Sequence, residues 1–280
     1  MAETPDKKET AAEEAMVSDI QPEGTQASAS TVTSDDTTPS LEVPSPAGPS
    51  LLDQYTAHYP DWAKDFARKY FTKTLTQFII YGNVRDLVAA GGDDGKSEYV
   101  SLHEFLVDEL FASRDIVLFY DRSSGIHFAD KESQKDFNRA LSGYDTIFGT
   151  DYAKKLPEDP VRVLAVLQNY FRLRLADGKR IACIIDYAET VIPMAEASMY
   201  SEGDRNALVF LQKWAHDPLF LSSDFTVTLI TQNLSELNQQ IVQSPYTAEI
   251  QIPIPDEEAR RTYVDSYLEE LQGEWAQHSE

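Results

Sequence analysis

The chain has 280 residues, of which 42% are hydrophobic and 11% aromatic, and a formal net charge of −23. That apolar share is enough for a sizeable core, while so anionic a surface repels nucleic-acid phosphates and anionic lipid and argues against a nucleic-acid partner. The single cysteine, Cys183, excludes an intrachain disulfide framework and a multi-cysteine zinc site, and no apolar run is long enough for a membrane span.

The first aromatic residue is Tyr55, and residues 1–50 are rich in Ala, Ser, Thr, Pro and Glu. Such a segment buries too little apolar surface to offset its chain entropy, so an acidic, disordered arm is expected over 1–50. The N-terminal stretch MAETPDKKETAAEEAM has no apolar core of the secretory type, which makes the cytoplasm the expected location. One domain is expected over 51–272, with a short tail over 273–280.

In that domain Trp62, Phe66 and Tyr70 recur at helical spacing, with Asp61 placed to cap. Strands are then expected at Thr76–Tyr81, Asp115–Tyr120, Ile181–Ile185, Phe225–Thr231 and Ala248–Ile254, because each is short, apolar and rich in Ile, Val or aromatics. Helices are expected between them. Ser101 and Glu104 form a capping box, Asp130–Leu141 carries a weaker helical pattern, and Asp159–Ala176 opens with an Asp cap and Pro160 and stops at Gly178. Asp204–His216 ends before Pro218, and Asp256–Leu271 is the last helix. Strands alternating with helices predict an α/β fold: a three-layer sandwich around a five-stranded parallel sheet.

Asp186 ends the apolar run IACII and Glu189 follows it. A carboxylate at the carboxyl edge of such a sheet is placed where ligands bind, and an ordinary buried strand with an acidic end fits the run equally. Asn233 leaves the end of the next strand, where it or Ser235 also suits a helix cap. The loop Asp121–Phe128 is polar and contains Gly125. The five histidines are isolated, so no His-based metal site is expected, and Cys183 sits mid-strand like an inert buried thiol.

The order FIIYGN, DIVLFYD, IACIIDYAE, TVTLITQN and AEIQIPIPDEEARRTYV resembles strands one to five of an AAA+ module, over about Thr76 to Tyr267. It is similar to the degenerate N-terminal AAA+-like half of two-module bacterial ATPases. The resemblance implies a P-loop NTPase-like fold, ATP and Mg²⁺ as cofactors, Asp186 as the metal-binding carboxylate, Asn233 reaching the γ-phosphate, Glu189 as the nearest general base, and protein partners such as other AAA+ subunits or modules. It also implies a pore-facing role for Asp121–Phe128, which otherwise reads as a surface loop.

The pattern departs from the family in several places. No Gly-Lys pair follows the first strand directly; the stretch reads Gly82-Asn-Val-Arg-Asp86. A loose, degenerate Walker A match lies further on, at Ala90–Ser97, with Gly95, Lys96 and Ser97 as the phosphate-binding candidates. Asp93 and Asp94 put negative charge into it, and a solvated turn is the alternative. Tyr187 stands where the family places a glutamate, and no Arg or Lys lies between Asn233 and the fifth strand. A C-terminal helical lid is not expected. Two readings stay open: an ATP-binding module of a remodelling machine, with hydrolysis in isolation in doubt, and a non-enzymatic assembly or regulatory domain.

Overall fold

The computed structural model describes residues 51–91, 97–196 and 198–277. The arm expected over 1–50 lies outside them, as do Gly95, Lys96 and the last three residues of the expected tail.

A short helix α1 (Leu51–Tyr55) and the amphipathic α2 (Asp61–Phe71) lead into β1 (Gln77–Gly82). Ala63, Phe66, Ala67 and Tyr70 of α2 are buried along one stripe. Asp61 is the first helical residue rather than the cap; Pro60 holds the cap position, as its fixed φ allows. A hairpin of β2 (Leu87–Gly91) and β3 (Ser97–Ser101) follows, then α3 (Leu102–Phe105), which continues as a π-helical turn over Leu106–Leu110. The capping box of Ser101 and Glu104 is present in full.

Next come β4 (Ile116–Asp121), β5 (Gly125–Phe128), α4 (Lys131–Phe148) and α5 (Pro160–Ala176), the helices capped by Asp130 and Asp159. β6 (Ile181–Ile185), α6 (Glu202–His216), α7 (Pro218–Ser222), β7 (Phe225–Thr231), α8 (Gln239–Val242), β8 (Thr247–Ile252) and α9 (Glu257–Gln277) complete the order. Asn238 caps α8; Asn233 precedes and Ser235 lies within a separate 3₁₀ turn (Leu234–Glu236), and neither side chain caps α8.

The main sheet runs β5-β4-β6-β7-β1-β8. Five of these strands are parallel, as expected, and β5 is a sixth that pairs antiparallel with β4. The polar stretch 121–128 is therefore a β-hairpin rather than a loop: Asp121 Oδ1 accepts from the amides of Ser123 and Ser124 at 2.7 Å each, and Gly125 takes a positive φ of 77°. The β2–β3 pair forms its own small sheet.

The interior strands β4, β6 and β7 are buried on both sides, whereas the edge strand β8 alternates between buried and exposed positions. On one face, Phe66, Phe78, Phe105 and Phe111 pack α2 and α3 against the sheet. On the other, Leu167, Phe171, Leu211, Trp214 and Phe225 pack α5 and α6. This is the three-layer α/β arrangement, Rossmann-like, with the carboxyl ends of β1, β6 and β7 along one edge. Among the described residues no helix is long and apolar enough to cross a membrane.

Candidate functional site

In this topology the carboxyl edge of the parallel strands is where ligand sites are built. β1 ends at Gly82, whose φ of 98° turns the chain sharply. A Cβ there would lie 2.4 Å from the Ile252 carbonyl oxygen, so only glycine fits between β1 and β8. The Gly82 amide donates to the Gln232 carbonyl at 3.1 Å, and the Asn83 amide donates to the Ile252 carbonyl at 3.0 Å. A phosphate loop keeps its amides free for the anion. The two that leave β1 first are spent on the ends of β7 and β8.

The turn then throws Arg85 sideways. Its guanidinium passes the end of β7 to reach Asp186, which follows β6 and is only 7% exposed. Nη1 donates to Oδ2 and Nη2 to Oδ1, each at 2.8 Å, the bidentate geometry that suits a planar guanidinium. The guanidinium carbon also lies 3.9 Å from the centre of the Tyr187 ring. Tyr187 adopts a left-handed conformation, φ 50° and ψ 46°, rare for a non-glycine residue and costing of order 1–3 kcal/mol. Its amide donates back to Asp186 Oδ1 at 2.8 Å.

His103, from the first turn of α3, adds a third group. Its Nε2 lies 3.3 Å from Asp186 Oδ2, a close approach without hydrogen-bond alignment. Burial pushes the Asp186 carboxyl upward. The polar contacts of His103 and Arg85, followed by the Arg85 charge and the Tyr187 amide, outweigh it and hold the group at about 2. Arg85 is raised above its ordinary value, first through its hydrogen bonds to Asp186.

The other sequence candidates separate around this centre. Glu189 sits in the 3₁₀ turn Ala188–Thr190, close enough to contribute to the raised Arg85. Its Oε2 is buried without a hydrogen-bond partner. Asn233 follows β7, the neighbour of β6, on the same edge as Asp186, but its amide donates to Glu236 at 2.8 Å. Ser97 opens β3 across from Gly91, so the two ends of the Ala90–Ser97 match are strand residues of a hairpin. Gly95 and Lys96, between those ends, lie outside the described residues.

Among the described residues no cluster of three or more His, Cys, Asp or Glu side chains is arranged to hold a metal ion. A hydrated Mg²⁺ needs an open carboxylate, and Asp186 has both oxygens on Arg85. The described residues around Asp186 therefore do not fit Mg-ATP as they stand. Arg85, His103 and the strained Tyr187 escaped the sequence reading. Arg85 did leave one signal, as the only basic residue between the end of β1 and Lys96.

A family model described as AAA+ chaperone, N-terminal Rossmann-like domain matches residues 45–253. No curated protein matches the chain. Among solved structures, a chain in the E. coli MS115-1 HORMA:CdnC:Trip13 complex aligns at 13% identity with a TM-score of 0.44. The alignment covers 78% of this chain and 61% of that one, so this chain spans less than two thirds of its length.

Proposed function

The chain belongs to the family of AAA+ chaperone N-terminal Rossmann-like domains, and from that premise we propose that it is an AAA+-like assembly module that neither binds nor hydrolyses ATP by itself. One observation carries this reading: the carboxylate in the position of the family's metal ligand is closed by Arg85 in a bidentate pair, stacked on Tyr187. Phosphoryl transfer works by positioning and charge neutralisation around the phosphates. A cation of the protein's own occupies the place where the metal's charge would act. The paired amides of Gly82 and Asn83 support the same conclusion. Its role is then to present surfaces to protein partners, among them other AAA+ subunits or modules of an ATP-driven machine.

Titration calorimetry of the full chain with Mg-ATP, alongside Lys96→Ala, tests this. The expected result is no saturable heat from either protein. Saturable, Mg²⁺-dependent binding that disappears in Lys96→Ala would overturn the proposal and establish Ala90–Ser97 as a phosphate loop.

A further inference from the structure

At the edge of the sheet opposite Asp186, where β1, β4 and β7 begin, lies a second polar recess. It is a cavity of about 250 Å³ between the end of α2, the residues leading into β1 and the stretch from α7 to β7. At ordinary strand rise, the length of β7 sets it about 20 Å from the Asp186 crevice. Arg114, from the turn before β4, lines the cavity with a side chain only 5% exposed. Its guanidinium is held in place. Nε donates to the Tyr70 hydroxyl, Nη1 donates to the Asp224 carbonyl at 3.0 Å, and the central carbon lies 4.9 Å from the centre of the Tyr70 ring. Lys73 stands at the rim with its ammonium 3.3 Å from Asp224 Oδ1. Its φ of 53° makes it, with Tyr187, one of two described non-glycine residues in the left-handed region.

Two cations share one carboxylate here, in a chain whose total charge is −23. Arg114 Nη1 and Lys73 Nζ lie 2.8 and 3.3 Å from the same oxygen, Asp224 Oδ1, so the three groups keep a positive surplus and Oδ2 is left to accept from a ligand. The neighbouring Arg180 and Asp115 pair with each other at 3.0 Å and do not alter that balance. Burial pushes the Asp224 carboxyl up. The hydrogen bond and charge of Arg114, then those of Lys73, outweigh it and hold the group below its ordinary value. Near neutral pH Asp224 is therefore ionised and only accepts. Thr76 is an independent observation that points to a ligand: it lines the cavity, is 5% exposed, and its Oγ1 is buried with no hydrogen-bond partner. Tyr70 accepts from Arg114 and keeps its own proton to donate, since burial raises its hydroxyl above the ordinary value.

We propose that this cavity binds one protonated oxyanion, free hydrogenphosphate. Lys73 and Arg114 supply the positive charge, and the Thr76 and Tyr70 hydroxyls donate to the oxygens. A volume of about 250 Å³ falls below the roughly 300–1,000 Å³ of clefts that hold drug-sized ligands, which suits an ion with a few waters rather than a nucleotide. The carboxylate beside the anion sets the selectivity. Phosphate near neutral pH retains a proton to donate to Asp224 Oδ2, whereas sulfate has none and meets Asp224 as a like charge. The site shares no residue with the Asp186 crevice, so its failure and the failure of the nucleotide reading are separate results.

Titration calorimetry of the full chain with sodium phosphate and with sodium sulfate, at neutral pH and constant ionic strength, tests it. The expected result is one saturable phosphate site with Kd below about 1 mM, and sulfate weaker by about tenfold or more. Two variants spare the fold. Lys73→Gly removes an exposed cation and relieves the positive φ, and Thr76→Val removes a hydroxyl that bonds to nothing in the chain. Both are expected to keep the wild-type circular dichroism spectrum and to weaken phosphate, Lys73→Gly by about tenfold and Thr76→Val by about fivefold. Adenosine monophosphate separates the free ion from an esterified phosphate, and is expected to bind about tenfold more weakly than phosphate or not at all. The absence of saturable heat with phosphate overturns the proposal. So does sulfate or adenosine monophosphate binding as tightly as phosphate, and so does an unchanged phosphate affinity in either folded variant.

Discussion

Replacing Arg85 by Ala tests the central contact directly. The substitution leaves Asp186 buried with only the Tyr187 amide and the poorly aligned His103 for company. In the folded chain the carboxyl sits at about 2, against an ordinary value of 3.8. At 1.36 kcal/mol per tenfold, that difference corresponds to about 2 kcal/mol of folding stability near neutral pH, shared among His103, Arg85 and the Tyr187 amide, so it is an upper bound for Arg85. Solvent reaches the guanidinium, whose side chain is 32% exposed, and screening reduces the figure to about 1–2 kcal/mol. The folded value is depressed, so the stabilisation is complete above the unfolded carboxyl's ordinary value and fades as pH falls toward 2. About half should remain near pH 3. Urea unfolding of wild type and Arg85→Ala at pH 7 and pH 3 measures it. The expected penalty is about 1–2 kcal/mol at pH 7 and roughly half that at pH 3. An equal penalty at both pH values would place the effect in packing on Tyr187. No penalty at either would mean that the pair contributes nothing and that Arg85 does not hold Asp186 closed.

Gly82→Ala should cost about 2–3 kcal/mol, read as a fall in melting temperature, because it forces an alanine into φ 98° and sets its Cβ against the Ile252 carbonyl. Trp214→Ala should cost about 3–5 kcal/mol in urea unfolding, since it removes a fully buried ring that packs edge-on against Phe171, Phe220 and Phe225. Cys183 is fully buried and its thiol is pushed well up by desolvation, so a thiol reagent should modify it only as fast as the domain unfolds. Fast labelling of the folded chain would contradict that placement.

The alternation of apolar runs and capped helices carried the architecture. Ile181–Ile185 and Phe225–Thr231 form strands with the bounds their sequences predict, because a strand buried on both faces is a continuous apolar run and can be read locally. The capping box at Ser101 and the Asp159–Pro160 start were legible for the same reason: each bond spans three residues. The strand β5 was not legible, since an edge hairpin with one open face carries too weak an apolar pattern to distinguish it from a surface loop.

The chemistry of the crevice lies still further from local pattern. Asp186 could be placed at a strand end from its own neighbours, but its state could not. That state depends on Arg85, which is 101 residues earlier in the chain and reaches it only because β7 alone separates β1 from β6. The sequence by itself determined an α/β layout and a carboxylate at the ligand edge. Only the tertiary structure decided that the carboxylate is closed, because the ion pair forms where strand order brings the turn after Gly82 and the strand end at Asp186 together and sets two charges within 3 Å, and strand order is not written in the residues near either partner.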